Sequence, residues 1–365
     1  MLKSINKKTV LFVVYIIGLV ILGDLCLKYF VPLSKSIRYS VMTKIHGPNA
    51  YEIQEPNKRP RVAAKSYFLY ANTPGFTDKF GLQHDDNGYR ENSDTINPEA
   101  ALKVLVLGGS TTYGVGIQKP DEVWTHEMQE LYNASGVTAD VINGGLNYAL
   151  SSELLAKYAF KDQWIDHDLL IIHAGGNEYL PIAFPDFKPD YSHVRMQAGQ
   201  TTGVIEKSLL QKSGIIRLLW GSWASGSGFG MTIGQPFAFG KLKLEDAMQR
   251  INIPERYTPL LRNLGTIIDI AKNAGRKVLI VPFVSNHYNP SYNMESISHL
   301  VPSIPIYLKK MRTALKLLAK EKNVGFFELE EGVISESSFV DNCHLNSQGQ
   351  KEKASAVFKH LTLSR

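Results

Sequence analysis

The chain has 365 residues, 44% of them hydrophobic, 10% aromatic and 20% charged, which fits a folded protein with a sizeable core and excludes a disordered or collagen-like chain. The formal net charge of +6 is unevenly placed: residues 1–65 hold eleven Lys and Arg against three Asp and Glu, and the remaining 300 carry 29 against 31. A basic excess confined to the flanks of an apolar segment fits membrane topology and anionic lipid, not a nucleic-acid surface, so no nucleic-acid partner is expected.

In chain order, Lys3, Lys7 and Lys8 precede an apolar run from Thr9 to Gly23 that resumes after Asp24 and stops before Pro32. Residues 1–8 read as a cytoplasmic tail and 9–31 as an uncleaved transmembrane signal anchor. The rival, a cleaved signal peptide, lacks its small-residue cleavage site, and Leu25 before Cys26 is not the small residue of a lipoprotein signal. The expected location is the cytoplasmic membrane, single-pass, with the rest of the chain on the periplasmic or extracellular side. The two cysteines, Cys26 and Cys343, are poor partners for a disulfide. No second Cys or H-E-x-x-H accompanies Cys343, so it reads as a structural thiol and no metal is expected.

Residues 32–100 read as a basic, Pro-containing connector followed by a lead-in, from about Tyr67 to Asn97, that packs on the main domain. From 101 to 365 the pattern alternates. Short apolar runs at Lys103–Leu107, Val141–Ile142, Leu169–Ile172, Lys277–Phe283 and Val324–Leu329 predict strands. Glu122–Tyr132, Ser151–Asp162, Ile306–Lys320 and Gln348–Leu361 predict helices. Such alternation implies a parallel sheet with helices on both faces. An insertion at about 181–260 follows the third strand; it includes an apolar-rich helix expected over Glu206–Trp220 and six glycines between Gly221 and Gly240. A lid, an ordinary subdomain and a membrane contact are its open readings.

Three fragments carry chemistry. Gly108-Gly-Ser110, with Gly114, ends the first strand, where a hydroxyl and its own N–H can both face the sheet's carboxyl edge. Asp341 and His344 follow the last strand, and a base steadied by a carboxylate is what a Ser hydroxyl needs to become a nucleophile. Asn177, after Gly175 and Gly176, follows the third strand, where its amide can donate to a developing oxyanion. Taken singly, each is also a structural turn or a surface pair. The first fragment lacks the Lys of a P-loop and is not a G-x-S-x-G elbow.

Together, in order, Gly108-Gly-Ser110 with Gly114, Val141-Ile-Asn-Gly-Gly145, Gly175-Gly-Asn177, and Asp341-x-x-His344 followed by Leu345-Asn346 and Gly349 resemble the four motif blocks of the SGNH hydrolases, also called GDSL esterases and lipases, over about residues 101–362. The resemblance implies a three-layer α/β/α sandwich around a parallel sheet. It also implies Ser110 as nucleophile, Asp341 and His344 as the acid–base pair, and Asn177 with the Ser110 N–H as oxyanion donors. The chain departs from the family at Gly109, where the family has Asp, and in the second block, whose glycine falls by count at Tyr148. Tyr148 N–H, with Gly145 as the alternative, is the third expected donor.

The expected function is a membrane-anchored serine esterase acting on O-acyl groups, chiefly O-acetyl, of an envelope glycan, with no cofactor. The alternatives are acyl transfer to a sugar hydroxyl, a lipase acting on lipid, and a non-catalytic glycan-binding envelope scaffold.

Overall fold

In a computed structural model of the protein, the residues described are 7–25, 62–64, 69–77, 82–91, 97, 99–194, 242–286, 298–329 and 332–363. They fall into two units, one comprising residues 1–58 with 195–237 and the other 59–194 with 238–365. In the first unit the described element is helix α1, Lys7–Leu25, on which Leu11, Phe12, Val14, Tyr15 and Ile17 are exposed. Among the described residues no helix is long and apolar enough to cross a membrane. Residues 26–31 of the expected 9–31 span, Cys26 among them, lie outside the described residues. So do the helix expected over Glu206–Trp220 and the stretch Gly221–Gly240.

The second unit is an α/β fold. A small antiparallel pair joins the end of the connector, β1 (Val62–Ala64), to the start of the lead-in, β2 (Tyr70–Asn72). The main sheet has five strands, β3 (Leu102–Gly108), β4 (Ala139–Gly145), β5 (Leu169–His173), β6 (Lys277–Ile280) and β7 (Gly325–Phe326), all parallel in the order β4-β3-β5-β6-β7. The expected strands are present with shifted ends: β4 is longer than Val141–Ile142, while β6 and β7 are shorter than the apolar runs that announced them.

Period-two alternation sends successive side chains of each strand to opposite faces. Val104, Val106 and Ile171 pack with Trp124, Met128 and Tyr132 of helix α3 (Trp124–Ala134) and with Ala354 and Val357 of helix α9 (Ser347–Leu363). Leu105, Leu107, Leu170 and Ile172 are fully buried on the other face. That face carries α4 (Ser151–Phe160), α7 (Thr258–Asn273) and α8 (Ile304–Lys322), with α7 packed on α4, α8 and β6. The result is the expected three-layer arrangement. Helix α7, which supplies the crossover from β5 to β6, was not among the expected helices. Its buried Leu260, Leu264, Ile267, Ile268 and Ala271 follow a helical period with Pro259 in the first turn. Among the described residues three short α-helices remain: α2 (Ser110–Tyr113), α5 (Tyr179–Ala183) and α6 (Leu244–Ile251).

In this strand order the chain reverses direction across the sheet between β3 and β5. The crevice beyond their carboxyl ends is where such sheets place a site. The lead-in is bolted to the same region: Tyr70 OH donates to the Asn147 carbonyl at 2.6 Å and Asn72 Nδ2 to the Gly145 carbonyl at 2.9 Å.

Candidate active site

Strand β3 ends at Gly108, and Ser110 opens the single turn of α2. First-turn N–H groups have no acceptor inside their own helix, so the Ser110 N–H is available at the sheet's edge. The turn ends at Gly114, whose φ of +81° is a left-handed conformation that favours glycine.

Asp341 and His344 share one tight turn after β7. Val340 N–H donates to the His344 carbonyl at 2.9 Å, and Phe339 and Leu345, both buried, pair across it. Asp341 Oδ1 accepts the Cys343 and His344 N–H groups at 2.8 and 2.7 Å. This side chain folded over its own turn is typical of Asp. Asn346 then caps α9, its Oδ1 accepting the Gly349 N–H at 3.0 Å.

These pieces converge. His344 Nε2 lies 2.9 Å from Ser110 Oγ, and His344 Nδ1 lies 2.5 Å from Asp341 Oδ2. Burial pushes the Asp341 carboxyl up, but the hydrogen bond and charge of His344 and the two backbone N–H groups outweigh it and hold the group at about 2. Asp341 is therefore ionised at neutral pH and accepts, so Nδ1 carries the proton and Nε2 is left to accept from the Ser110 hydroxyl. The His344 and Asp341 side chains keep 19% and 37% of their exposure, so the chain of hydrogen bonds is open to solvent.

Asn177 Nδ2 donates to the Ala149 carbonyl at 2.8 Å. A Cβ added to Gly109 would stand 3.0 Å from that same nitrogen. The amide thus lies against the residue preceding Ser110, and the absent side chain at Gly109 leaves it room. Of the two second-block donors, Gly145 already gives its N–H to Asn143 Oδ1 at 3.0 Å. Tyr148 has φ +60°, which is uncommon for a residue with a side chain, and is 42% exposed. A glycine would adopt that left-handed backbone without a side-chain penalty.

Asp341, Cys343 and His344 offer atoms within 4.8 Å of one another, the spacing of a metal cluster. Their chemistry points elsewhere. In the metal-free chain burial and the Asp341 charge push the Cys343 thiol well up. The imidazole Nδ1 and the carboxylate are already committed to each other.

Several supporting residues gave no signal in the sequence. Asn143 Nδ2 and Trp124 Nε1 both donate to the Thr112 carbonyl, at 3.1 and 3.2 Å, and Nζ of the fully buried Lys353 donates to the Thr111 carbonyl at 3.2 Å. They act on backbone carbonyls, and no spacing rule announces such contacts. Asn143 alone was within reach, as a member of the second block.

No family model matches the chain, and no curated protein does. Solved structures do. The chain is similar to TesA (16% identity over 72% of this chain and 98% of that one, TM-score 0.43). It is also similar to AlinE4, an SGNH-hydrolase family esterase (15%, 73% and 98%, TM-score 0.36). A third similar structure is a variant of Axe2, an acetyl-xylooligosaccharide esterase from Geobacillus (12%, 72% and 94%, TM-score 0.41).

Proposed function

We propose that the protein is a serine ester hydrolase of the SGNH type. The observation that carries this reading is the unbroken series Ser110 Oγ, His344 Nε2, His344 Nδ1, Asp341 Oδ2, at 2.9 and 2.5 Å. Ser110 Oγ attacks the acyl carbonyl carbon as His344 takes its proton, while Asp341 keeps the imidazole oriented and balances its charge. The oxyanion forms toward the Ser110 N–H, with Asn177 and the Tyr148 N–H as further donors. Collapse expels the alcohol, which leaves with the proton from His344, and water repeats the sequence to free the acid and Ser110. No step requires a group beyond the chain and water.

The finer reading is an O-acyl group, chiefly O-acetyl, on an envelope glycan, cleaved by an enzyme held at the outer side of the cytoplasmic membrane. Two features support it: the solvent-open triad, which suits an ester carried on a large polar substrate, and the basic, apolar amino-terminal region. In α1 the uncharged run from Thr9 to Gly23 is 15 residues, about 22 Å of helix. A span of ~30 Å therefore requires the helix to continue past Leu25, as the expected 9–31 anchor does. Retention of the full chain in the membrane fraction through an alkaline carbonate wash tests the anchor.

The substrate test is release of acetate from an O-acetylated oligosaccharide by the full chain in detergent, beside Ser110→Ala. We expect acetate and deacetylated glycan from the parent alone. Acetate appearing on an added sugar acceptor would reassign the site to transfer, and equal release by Ser110→Ala would remove the mechanism.

A further inference from the structure

Arg90 lies in the lead-in, before the first strand of the main sheet, and only 2% of it is exposed. Its backbone pairs antiparallel with Asn143 on β4, the outer strand. The approach is fixed by Asp85, whose Oδ1 accepts the Tyr89 N–H at 2.8 Å and whose own N–H donates to the Tyr89 carbonyl at 2.9 Å. From there the guanidinium reaches under the nucleophile's turn. Nη1 donates to the Tyr113 and Gly114 carbonyls at 2.8 and 2.7 Å, and Nη2 to the Ile117 carbonyl at 2.6 Å. The guanidinium carbon also stands 5.0 Å from the centre of the Tyr113 ring.

A helix of one turn cannot satisfy its own carbonyls and has no stability of its own. In α2 the carbonyls are taken in succession: Ser110 by the Gly114 and Val115 N–H groups, Thr111 by Lys353, Thr112 by Trp124 and Asn143. Beyond these, Arg90 takes the Tyr113, Gly114 and Ile117 carbonyls, sharing that of Gly114 with the Ile117 N–H at 3.1 Å. A cation there meets the negative end of the peptide dipoles. Because α2 is about 6 Å long, a shift at this end is a shift of Ser110. A misplacement of about 1 Å at a reacting group costs on the order of 100-fold in rate.

We propose that Arg90 is a positioning residue for Ser110, which makes the lead-in part of the catalytic unit; the functional half of this claim rests on the serine-hydrolase reading above. The test uses the full chain in detergent, as Arg90→Lys, with Tyr89→Phe as control. Tyr89→Phe removes a different lead-in contact, the 2.5 Å bond from Tyr89 OH to Asp162 Oδ1, which does not touch α2. Two quantities are measured on the folded protein: the rate of Ser110 phosphonylation by a fluorophosphonate, and hydrogen exchange of the peptide covering residues 108–118.

We expect Arg90→Lys to label to full stoichiometry about 100-fold more slowly. Its 111–117 amides should exchange at least about tenfold faster, with the amides of β6 protected as in the parent. Tyr89→Phe keeps the parent's values in both. Labelling of Arg90→Lys at the parent's rate, in all or in a reduced fraction of the molecules, overturns the positioning role, as does unchanged exchange. A parent that takes no label removes the hydrolase reading instead, and the exchange measurement still decides whether Arg90 holds the turn.

Discussion

At the scale of single residues, the account turns on Asp341 staying ionised and His344 staying in one tautomer. The Asp341 carboxyl, held at about 2, lies below the ordinary carboxylate value. Its contribution to stability is thus complete above about pH 4 and is lost as the pH falls through about 2. Near neutrality it acts purely as an acceptor. Asp341→Asn replaces that acceptor with an amide and frees the other tautomer. We predict a fall in kcat of roughly 10³ to 10⁴-fold with KM little changed, read with a small acetate ester. Cys343, two residues on from Asp341, has the opposite prediction. Its thiol is pushed up by burial and by Asp341, so it is a poor nucleophile. Cys343→Ala should keep kcat within about threefold, and iodoacetamide at pH 7 should leave the parent active over the time in which an exposed thiol is consumed; rapid inactivation would contradict this picture.

At the scale of elements, the site depends on how the loop after β5 is tied to its neighbours. Glu178, next to Asn177, is buried and accepts the N–H of Ser151 at the start of α4. Burial pushes its carboxyl up to about 7, against the partial opposition of the Ser151 hydrogen bonds. A carboxyl raised in the folded state favours folding fully below its unfolded value. That advantage is lost as the pH rises through about 7, where the buried group must ionise. The parent's thermal midpoint should therefore drop between about pH 5 and pH 8. Asp140, raised to about 6 by burial, contributes a share of the same slope. Glu178→Gln keeps an acceptor for Ser151 without the charge, and should be less pH-dependent than the parent across that window. Equal slopes by calorimetry would show that Glu178 does not titrate there.

The same scale shows what was legible in the sequence. Strands β3 and β5 were readable because both faces are covered and the runs are continuously apolar. The β6 and β7 runs were overextended because apolar residues continue into the loop that approaches the site, as Val281 and Phe283 do. Helix α7 has a clear period, but it falls almost wholly between the segment read as an insertion, about 181–260, and the next expected strand, a stretch to which no element was assigned. Ser110, Asn177, Asp341 and His344 were found because their spacing forms a motif. Arg90 was not, because its work is done on carbonyls more than twenty residues along the chain, and carbonyls have no residue type.

At the scale of the whole chain, charge and chemistry are segregated. The basic excess belongs to residues 1–65, whereas the triad and its supports lie between Arg90 and Lys353 in a nearly neutral remainder. The anchor proposed for 9–31 and the hydrolase proposed for the α/β unit are thus separable claims, and the second is the central one. Its most direct test is intact-mass analysis of the full chain in detergent after exposure to a fluorophosphonate, beside Ser110→Ala and His344→Ala. The account predicts a single adduct on the parent that is lost in both variants. A folded parent that takes no adduct, or an adduct that survives Ser110→Ala, would contradict it.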